Sequence, residues 1–259
     1  MKPRVLVGCP THAVKDYAIK AYVEGIMKLS YPKFEVILVD NSDNNNYLKK
    51  IKKLGLKAVK GPIKGSVSQK IADSRNVLRK IVLDENYDYF LSLEQDIIPP
   101  KDIIERLLKL NKPIVSGVYY NMFQNNFGKS DIKPLAYAET TPEQFEILKA
   151  DPKYENTDIR KKIESGKIKG PEDIHGQLSA KEVEGSKVIE VFYAGLGCML
   201  IKREVLEKIE FRGPDTSFDD HAFCMDARKL GYKILLDTSV KCAHFVKIGD
   251  KKVMIQHAS

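Results

Sequence analysis

The chain has 259 residues, with 43 Lys and Arg against 35 Asp and Glu for a formal net charge of +8 at pH 7, and 43% of its residues are hydrophobic. That composition excludes intrinsic disorder, a collagenous repeat and a disulfide scaffold, and the length allows one or two domains. The longest apolar stretches, such as 194–201, fall far short of the ~18–20 consecutive residues that span a bilayer.

Met1-Lys2-Pro3-Arg4 runs straight into the strand-like Val5-Leu6-Val7, without the apolar core and small-residue cleavage site of a secretory signal. A cytoplasmic location is therefore expected. Cys9, Cys198, Cys224 and Cys242 are scattered with no C-x-x-C pair, which suits a reducing compartment and core thiols rather than a zinc site.

In chain order, residues 5–9, 34–40 and 89–93 are short β-branched, aromatic and aliphatic runs ending in polar residues, and they read as buried strands. Between the first two, Ala18, Ile19, Tyr22, Val23, Ile26 and Met27 recur at helical spacing. Val67, Ile71, Ser74, Leu78 and Ile81 form a second helical stripe, which Ser66-Val67-Ser68-Gln69 opens as a capping box. A third helix follows Pro99-Pro100 with Ile103, Ile104, Leu107 and Leu108, and Pro100 is expected near its first turn. This alternation predicts a doubly wound, mostly parallel α/β sheet flanked by helices. Ligands of such a sheet bind beyond the carboxyl ends of its strands, where Pro10-Thr11-His12, Asp40-Asn41-Ser42 and Glu94-Gln95-Asp96 fall.

Residues 121–190 are more polar, with four prolines and weak periodicity apart from a helix start at Thr141-Pro142-Glu143-Gln144, and read as an insertion or lid. Order returns with strands at 188–193 and 197–201 and a helix at 203–209. A helix then follows Phe218 and stops at Gly231, before strands at 233–236 and 240–246. One domain is expected, made of residues 1–120, the insertion, and residues 191–259.

Glu94 and Asp96, two residues apart at a strand end, point the same way and suit oxygen ligation of Mg²⁺ or Mn²⁺, although acids also end many strands because turns are polar. Asp219-Asp220 opens a helix, where an N-cap role is the plain alternative. His244 lies in a late strand, where an imidazole is as readily a core residue as a ligand.

Three separated blocks together resemble the family 2 glycosyltransferases of GT-A fold. They are Val7-Gly8-Cys9-Pro10-Thr11 with Val36-Ile37-Leu38-Val39-Asp40-Asn41-Ser42, then Ser74-Arg75-Asn76 with Phe90 through Pro100, and finally Asp219 through Ile234 with His244. The resemblance spans most of residues 4–246 and leaves 121–190 unmatched. It implies a nucleotide-diphospho-sugar donor recognised by Asp40, with Pro10, Thr11 and Ser42 beside it and Arg75 and Asn76 in the same pocket. Glu94-Gln95-Asp96 stands where the family has D-x-D, with Asp96 and His244 holding Mn²⁺ or Mg²⁺. Asp219-Asp220 stands where the family has a Glu-Asp pair whose second member is the general base of inverting enzymes, so Asp220 takes that role. Glu94 and Asp219 both depart from the family's residues. Processive members carry Q-x-x-R-W and membrane spans; this chain has no Trp. A non-processive transferase is expected, acting on a glycan, lipid-linked or protein acceptor.

The acceptor side is expected at Gly195 and Gly197 with Asp219, where small residues admit a close approach. A lysine cluster at Lys49, Lys50, Lys52, Lys53, Lys57, Lys60 and Lys64 suits peripheral contact with an anionic membrane; no nucleic-acid motif accompanies it. The competing readings are an inactive sugar- or nucleotide-sugar-binding module and a sugar nucleotidyltransferase. The latter would carry a Gly-rich basic loop after the first strand, and Cys9-Pro10-Thr11-His12-Ala13-Val14 is not one.

Overall fold

The structure, a computed structural model, describes residues 2–124, 130–213, 218–248 and 251–256. From the N-terminus, β1 (Val5–Thr11), α1 (Ile19–Met27), β2 (Phe34–Asp40), α2 (Asn46–Lys53), β3 (Lys57–Lys60), α3 (Val67–Asp84) and β4 (Tyr89–Leu93) alternate; all but α2 and β3 stand where the periodicity predicts. The two-residue β5 (Ile97–Ile98) and α4 (Ile103–Lys109) lead to β6 (Ile114–Val118). There follow β7 (Tyr120–Gln124), β8 (Ser130–Pro134), β9 (Ala136–Glu139), α5 (Pro142–Ala150), α6 (Asp158–Glu164) and β10 (His175–Gln177). The chain closes with β11 (Val188–Val191), β12 (Tyr193–Ala194), β13 (Cys198–Lys202), α7 (Arg203–Leu206), α8 (Asp219–Lys229), β14 (Ile234–Lys241), β15 (Ala243–Ile248) and β16 (Lys251–Ile255).

Eight strands form the main sheet in the order β3-β2-β1-β4-β13-β6-β14-β11. The first four run parallel, as do β6 and β14, whereas β13 and β11 are antiparallel to their neighbours. The sheet is thus mostly parallel, as expected. Alternation along β1 divides the core in two. Leu6 packs with Ala72, Leu78 and Val82 of α3 and Phe223 and Ala227 of α8 on one face. Val5, Val7 and Cys9 pack with Ile19 and Tyr22 of α1, Ile51 of α2 and Ile104 of α4 on the other. Gly8 sits where β1 and β2 press closest: a Cβ there would collide with the Ile37 carbonyl. All four cysteines are buried and free.

Several boundaries differ from expectation for local reasons. Ser66 caps α3 by accepting from the Gln69 backbone N–H at 3.2 Å, but the Gln69 side chain turns to Asp73 at 2.7 Å, so half of the capping box is made. Pro100 lies before α4 rather than in its first turn: Asp102 holds the cap position and the Pro100 carbonyl accepts from Ile103. The strand expected at 188–193 is broken, because β11 pairs with β14 in the main sheet while β12 pairs with β9 in a smaller one. Gly231, at φ +81°, ends α8 where predicted. The 121–190 segment, apart from 125–129 outside the described residues, contains paired strands that its periodicity did not announce. These are the β7–β8 hairpin and the β9–β10 pair, to which β12 adds a third strand from beyond the segment. The helix start expected at Thr141 is present and is closed by a complete capping box with Gln144. Among the described residues no helix is long and apolar enough to cross a membrane.

Candidate active site

Parallel pairing places Thr11 opposite Asp40 and Gly8 opposite Ser92, so the loops after β1, β2 and β4 meet at one sheet edge. Asp40 is fully buried there. Its Oδ1 accepts from the Ser42 N–H at 3.0 Å and the Ser42 hydroxyl at 2.6 Å, and Ser42 Oγ accepts from the Ala13 N–H at 2.9 Å. The Asp40–Ser42 turn thereby ties the loop after β1 to the loop after β2. Asp40 Oδ2 makes no hydrogen bond and has Lys60 Nζ at 3.5 Å.

At the end of β4, Glu94 and Asp96 stand among cations. Glu94 lies 2.8 Å from Arg75 Nη2 and 3.3 Å from Lys15 Nζ, and Asp96 Oδ2 is 3.0 Å from the same ammonium. Burial would lift the Glu94 carboxyl, yet Lys15 and Arg75 hold it below its ordinary value. Burial likewise opposes ionisation of Asp96, but contact with His244 and Lys15 prevails and draws it down to about 2. Between the two acids, Gln95 turns inward, donating to the Lys15 carbonyl at 2.7 Å and to the Tyr47 hydroxyl.

The short strand β5 brings His244 to Asp96. Ile97 pairs with His244 and Ile98 with Ala243, and the Phe245 N–H donates to the Asp96 carbonyl at 2.7 Å. His244 Nδ1 is 2.8 Å from the Tyr120 carbonyl oxygen, which can only accept, so Nδ1 carries a hydrogen. Nε2 lies 3.4 Å from Asp96 Oδ2, the oxygen that the Lys15 ammonium also approaches at 3.0 Å. Asp96 and His244 could hold a divalent ion in place of that ammonium, and the tether on Nδ1 is the usual support of a metal-binding imidazole. Among the described residues no set of three or more His, Cys, Asp and Glu side chains is placed to hold a metal, so the remaining ligands would be phosphate oxygens and water.

Across the cleft, α8 opens with two aspartates in different surroundings. Asp219, 5% exposed, accepts from Arg75 Nε at 2.6 Å; Arg75, 1% exposed, also donates to Ser92 Oγ at 2.6 Å, which joins α3, β4 and α8 through one guanidinium. Among the described residues Asp220 has no such cation partner. Its Oδ1 accepts from the His221 N–H at 2.7 Å, while burial and the neighbouring Asp219 charge push its carboxyl up to about 6. Environment alone separates the pair.

Arg75, Glu94, Asp96, Asp219, Asp220 and His244 line one cavity of about 940 Å³. Pro10 and Thr11 line an adjoining cavity of about 340 Å³, with Asn41, Arg75 and Glu94. Other expected residues point elsewhere. Asn76 spends its amide on the Phe211 backbone, donating at 2.7 Å and accepting at 2.9 Å. The group that approaches Gly195 and Gly197 is the chain's own Tyr119. Its hydroxyl would collide with a Cβ on Gly195, its ring would lie 2.7 Å from one on Gly197, and it accepts from the Gly197 N–H at 3.3 Å. Sequence reasoning missed Lys15 and the aromatic wall of Tyr119, Phe123, Tyr137 and Tyr193 in the larger cavity. For Lys15 the available signal was its place in the loop after the first strand.

No protein-family model matches the chain, and neither does any curated protein. Solved structures do. A197 from STIV is 17% identical over 99% of this chain and 95% of its own, with a TM-score of 0.49. The mannosyltransferase PcManGT from Pyrobaculum calidifontis, in complex with GDP-Man and Mn²⁺, is 14% identical with a TM-score of 0.51 over 92% of this chain and 57% of its own. S. aureus TarS 1–349, in complex with UDP-GlcNAc, is 15% identical over 91% of this chain and 56% of its own, with a TM-score of 0.49. This chain therefore spans little more than half the length of those two transferases. With the sheet order described above, the likeness to the mannosyltransferase identifies a GT-A-like glycosyltransferase fold.

Proposed function

We propose that the protein transfers a sugar from a nucleoside-diphosphate donor to an acceptor hydroxyl, non-processively and with inversion, using Mn²⁺ or Mg²⁺. The observation that carries this reading is Asp220, a carboxylate with no cation partner among the described residues and a raised proton affinity, opening onto the same cavity as the Asp96–His244 pair. In this mechanism Asp220 accepts the acceptor's hydroxyl proton as oxygen bonds to the anomeric carbon. The bond from that carbon to the donor phosphate breaks, and the nucleoside diphosphate leaves with its electron pair. A carboxyl near 6 is ionised at neutral pH yet basic enough to hold the proton. A divalent ion held by Asp96 and His244 would neutralise charge on the departing diphosphate. Arg75 fixes Asp219 and Glu94 through ion pairs at 2.6 and 2.8 Å, so that Asp220 is aimed by the first turn of α8.

We assign the donor's base to the cavity beside Pro10, Thr11 and Asn41, and the acceptor to the larger cavity. Asn121, Phe123, Leu135 and Tyr137 supply part of its wall, which supports an acceptor role for the 121–190 insertion within a single domain. The exposed lysines of α2 suit contact with an anionic membrane that presents a lipid-linked acceptor. Incubation with Mn²⁺ and a panel of nucleotide sugars tests the reading. Release of nucleoside diphosphate that Asp220→Asn abolishes is expected; pyrophosphate release would identify a nucleotidyltransferase, and binding without turnover an inactive module.

A further inference from the structure

Lys15 belongs to neither the acids nor the base of the scheme above, yet it lies at the centre of the site. Its ammonium sits 3.3 Å from Glu94 Oε2 and 3.0 Å from Asp96 Oδ2, in the position a cation shared by the two acids would take. Resting on the transferase reading, we propose that Lys15 is a ligand of the donor's diphosphate, held between Glu94 and Asp96 until the donor arrives.

The two cavities carry the argument. A donor with its base in the smaller cavity and its sugar near Asp220 passes its diphosphate across the junction, where Lys15, Ile71, Arg75 and Glu94 line both. Ile71 offers no charge and Glu94 repels a phosphate. Arg75 is spent: Nε, Nη1 and Nη2 are committed to Asp219, Ser92 and Glu94 at 2.6–2.8 Å, and the side chain is 1% exposed. Lys15 differs on each point. Its side chain is 37% exposed, and its contacts with Glu94 and Asp96 are ion pairs that an incoming anion can replace. Its backbone, by contrast, is pinned: the N–H donates to the His12 carbonyl at 2.9 Å and the carbonyl accepts from Gln95 Nε2 at 2.7 Å. A long side chain on a fixed stem can move its head from carboxylate to phosphate without rearranging the loop. The same movement frees Asp96 Oδ2, so a divalent ion and the ammonium compete for that oxygen.

Calorimetric titration with UDP, GDP, ADP and CDP, each in EDTA and in excess Mn²⁺, tests the proposal on wild type, Lys15→Met and Lys15→Arg. In EDTA the wild type is expected to bind at least one nucleotide, Lys15→Met to bind it about tenfold or more weakly, and Lys15→Arg to stay within about threefold of wild type. Titrated with Mn²⁺ alone, Lys15→Met should bind at least as tightly as wild type. Equal nucleotide affinity of wild type and Lys15→Met in EDTA would overturn the proposal. Nucleotide binding that requires Mn²⁺ in the wild type would overturn it and leave the transferase reading standing; no binding under either condition would overturn both. A second readout needs no variant. Bound nucleotide should shield the Lys15 amine of the wild type from acylation, and labelling unchanged by saturating nucleotide would count decisively against the assignment.

Discussion

Replacing Asp220 by Asn should make the protein more stable and inactive at once. The carboxyl stands at about 6 in the folded chain against an ordinary 3.8, through burial and the Asp219 charge. At ~1.36 kcal/mol per pH unit the ionised form costs the fold up to about 3 kcal/mol, and partial exposure reduces this to roughly 1–3 kcal/mol. The sign follows from proton uptake: between about pH 4 and 6 the folded state binds more protons than the unfolded one, so this group removes stability as pH rises through that window. Asn is nearly isosteric, and its carbonyl oxygen can still accept from the His221 N–H, now 2.7 Å from Asp220 Oδ1. Urea melts at a series of pH values should therefore superimpose for wild type and Asp220→Asn near pH 4. They should diverge to roughly 1–3 kcal/mol in the variant's favour above about pH 7. For a domain of this size, ~1 kcal/mol corresponds to about 2–4 °C in Tm. A variant no more stable than wild type at pH 8, or a difference that does not change with pH, would refute the account of an unpaired, desolvated carboxylate.

Wild-type turnover should fall about tenfold per pH unit below pH 6 as Asp220 protonates, and a flat initial-rate profile from pH 5 to 8 would remove its role as base. Asp96→Ala should weaken Mn²⁺-dependent donor binding by about 10–100-fold in calorimetry, since it deletes one of two protein donor atoms; unchanged affinity would sink the cation site. Arg75→Met leaves Asp219 and Glu94 without their shared guanidinium and should cost about 3–5 kcal/mol in denaturant melts, whereas a loss under 1 kcal/mol would mean that solvent screens the cluster. Gly8→Ala drives a methyl into the Ile37 carbonyl and should cost about 1–3 kcal/mol or more; wild-type stability would show that β1 and β2 can part locally.

In the first half β1, β2, β4, α1 and α3 were legible because those strands are largely buried on both faces and those helices carry one apolar stripe, whereas the lysine-rich α2 and the largely exposed β3 gave no such signal. Residues Phe34–Asp40 and Tyr89–Leu93 occupy the expected positions for that reason. The 121–190 segment hid its strands because sequences such as Ser130–Pro134 gain their extended form from hairpin pairing rather than from an apolar alternation. Within the site, motif order pointed to Asp96, His244 and Asp220. It chose Asp220 over Asp219 by position in the motif alone; the physical difference between the two, that Arg75 bonds to Asp219, lies in the packing and not in the residue type. Lys15 offered only its place just after the first strand, since a lone lysine has no period, and its placement depends on Gln95 clasping the Lys15 carbonyl from the end of another strand.

The two-residue ladder of Ile97–Ile98 against Ala243–His244 carries a liability out of proportion to its size. Because side chains alternate along a strand, deleting one residue between β14 and β15 would swing the imidazole to the opposite face and present Ala243 or Phe245 to Asp96 instead. The one residue there, Cys242, is itself buried against Cys198, so such a deletion would cost core packing as well as the histidine in the cleft. Chain length at Lys241-Cys242-Ala243 is therefore a constraint on this protein alongside the chemical identity of those three residues.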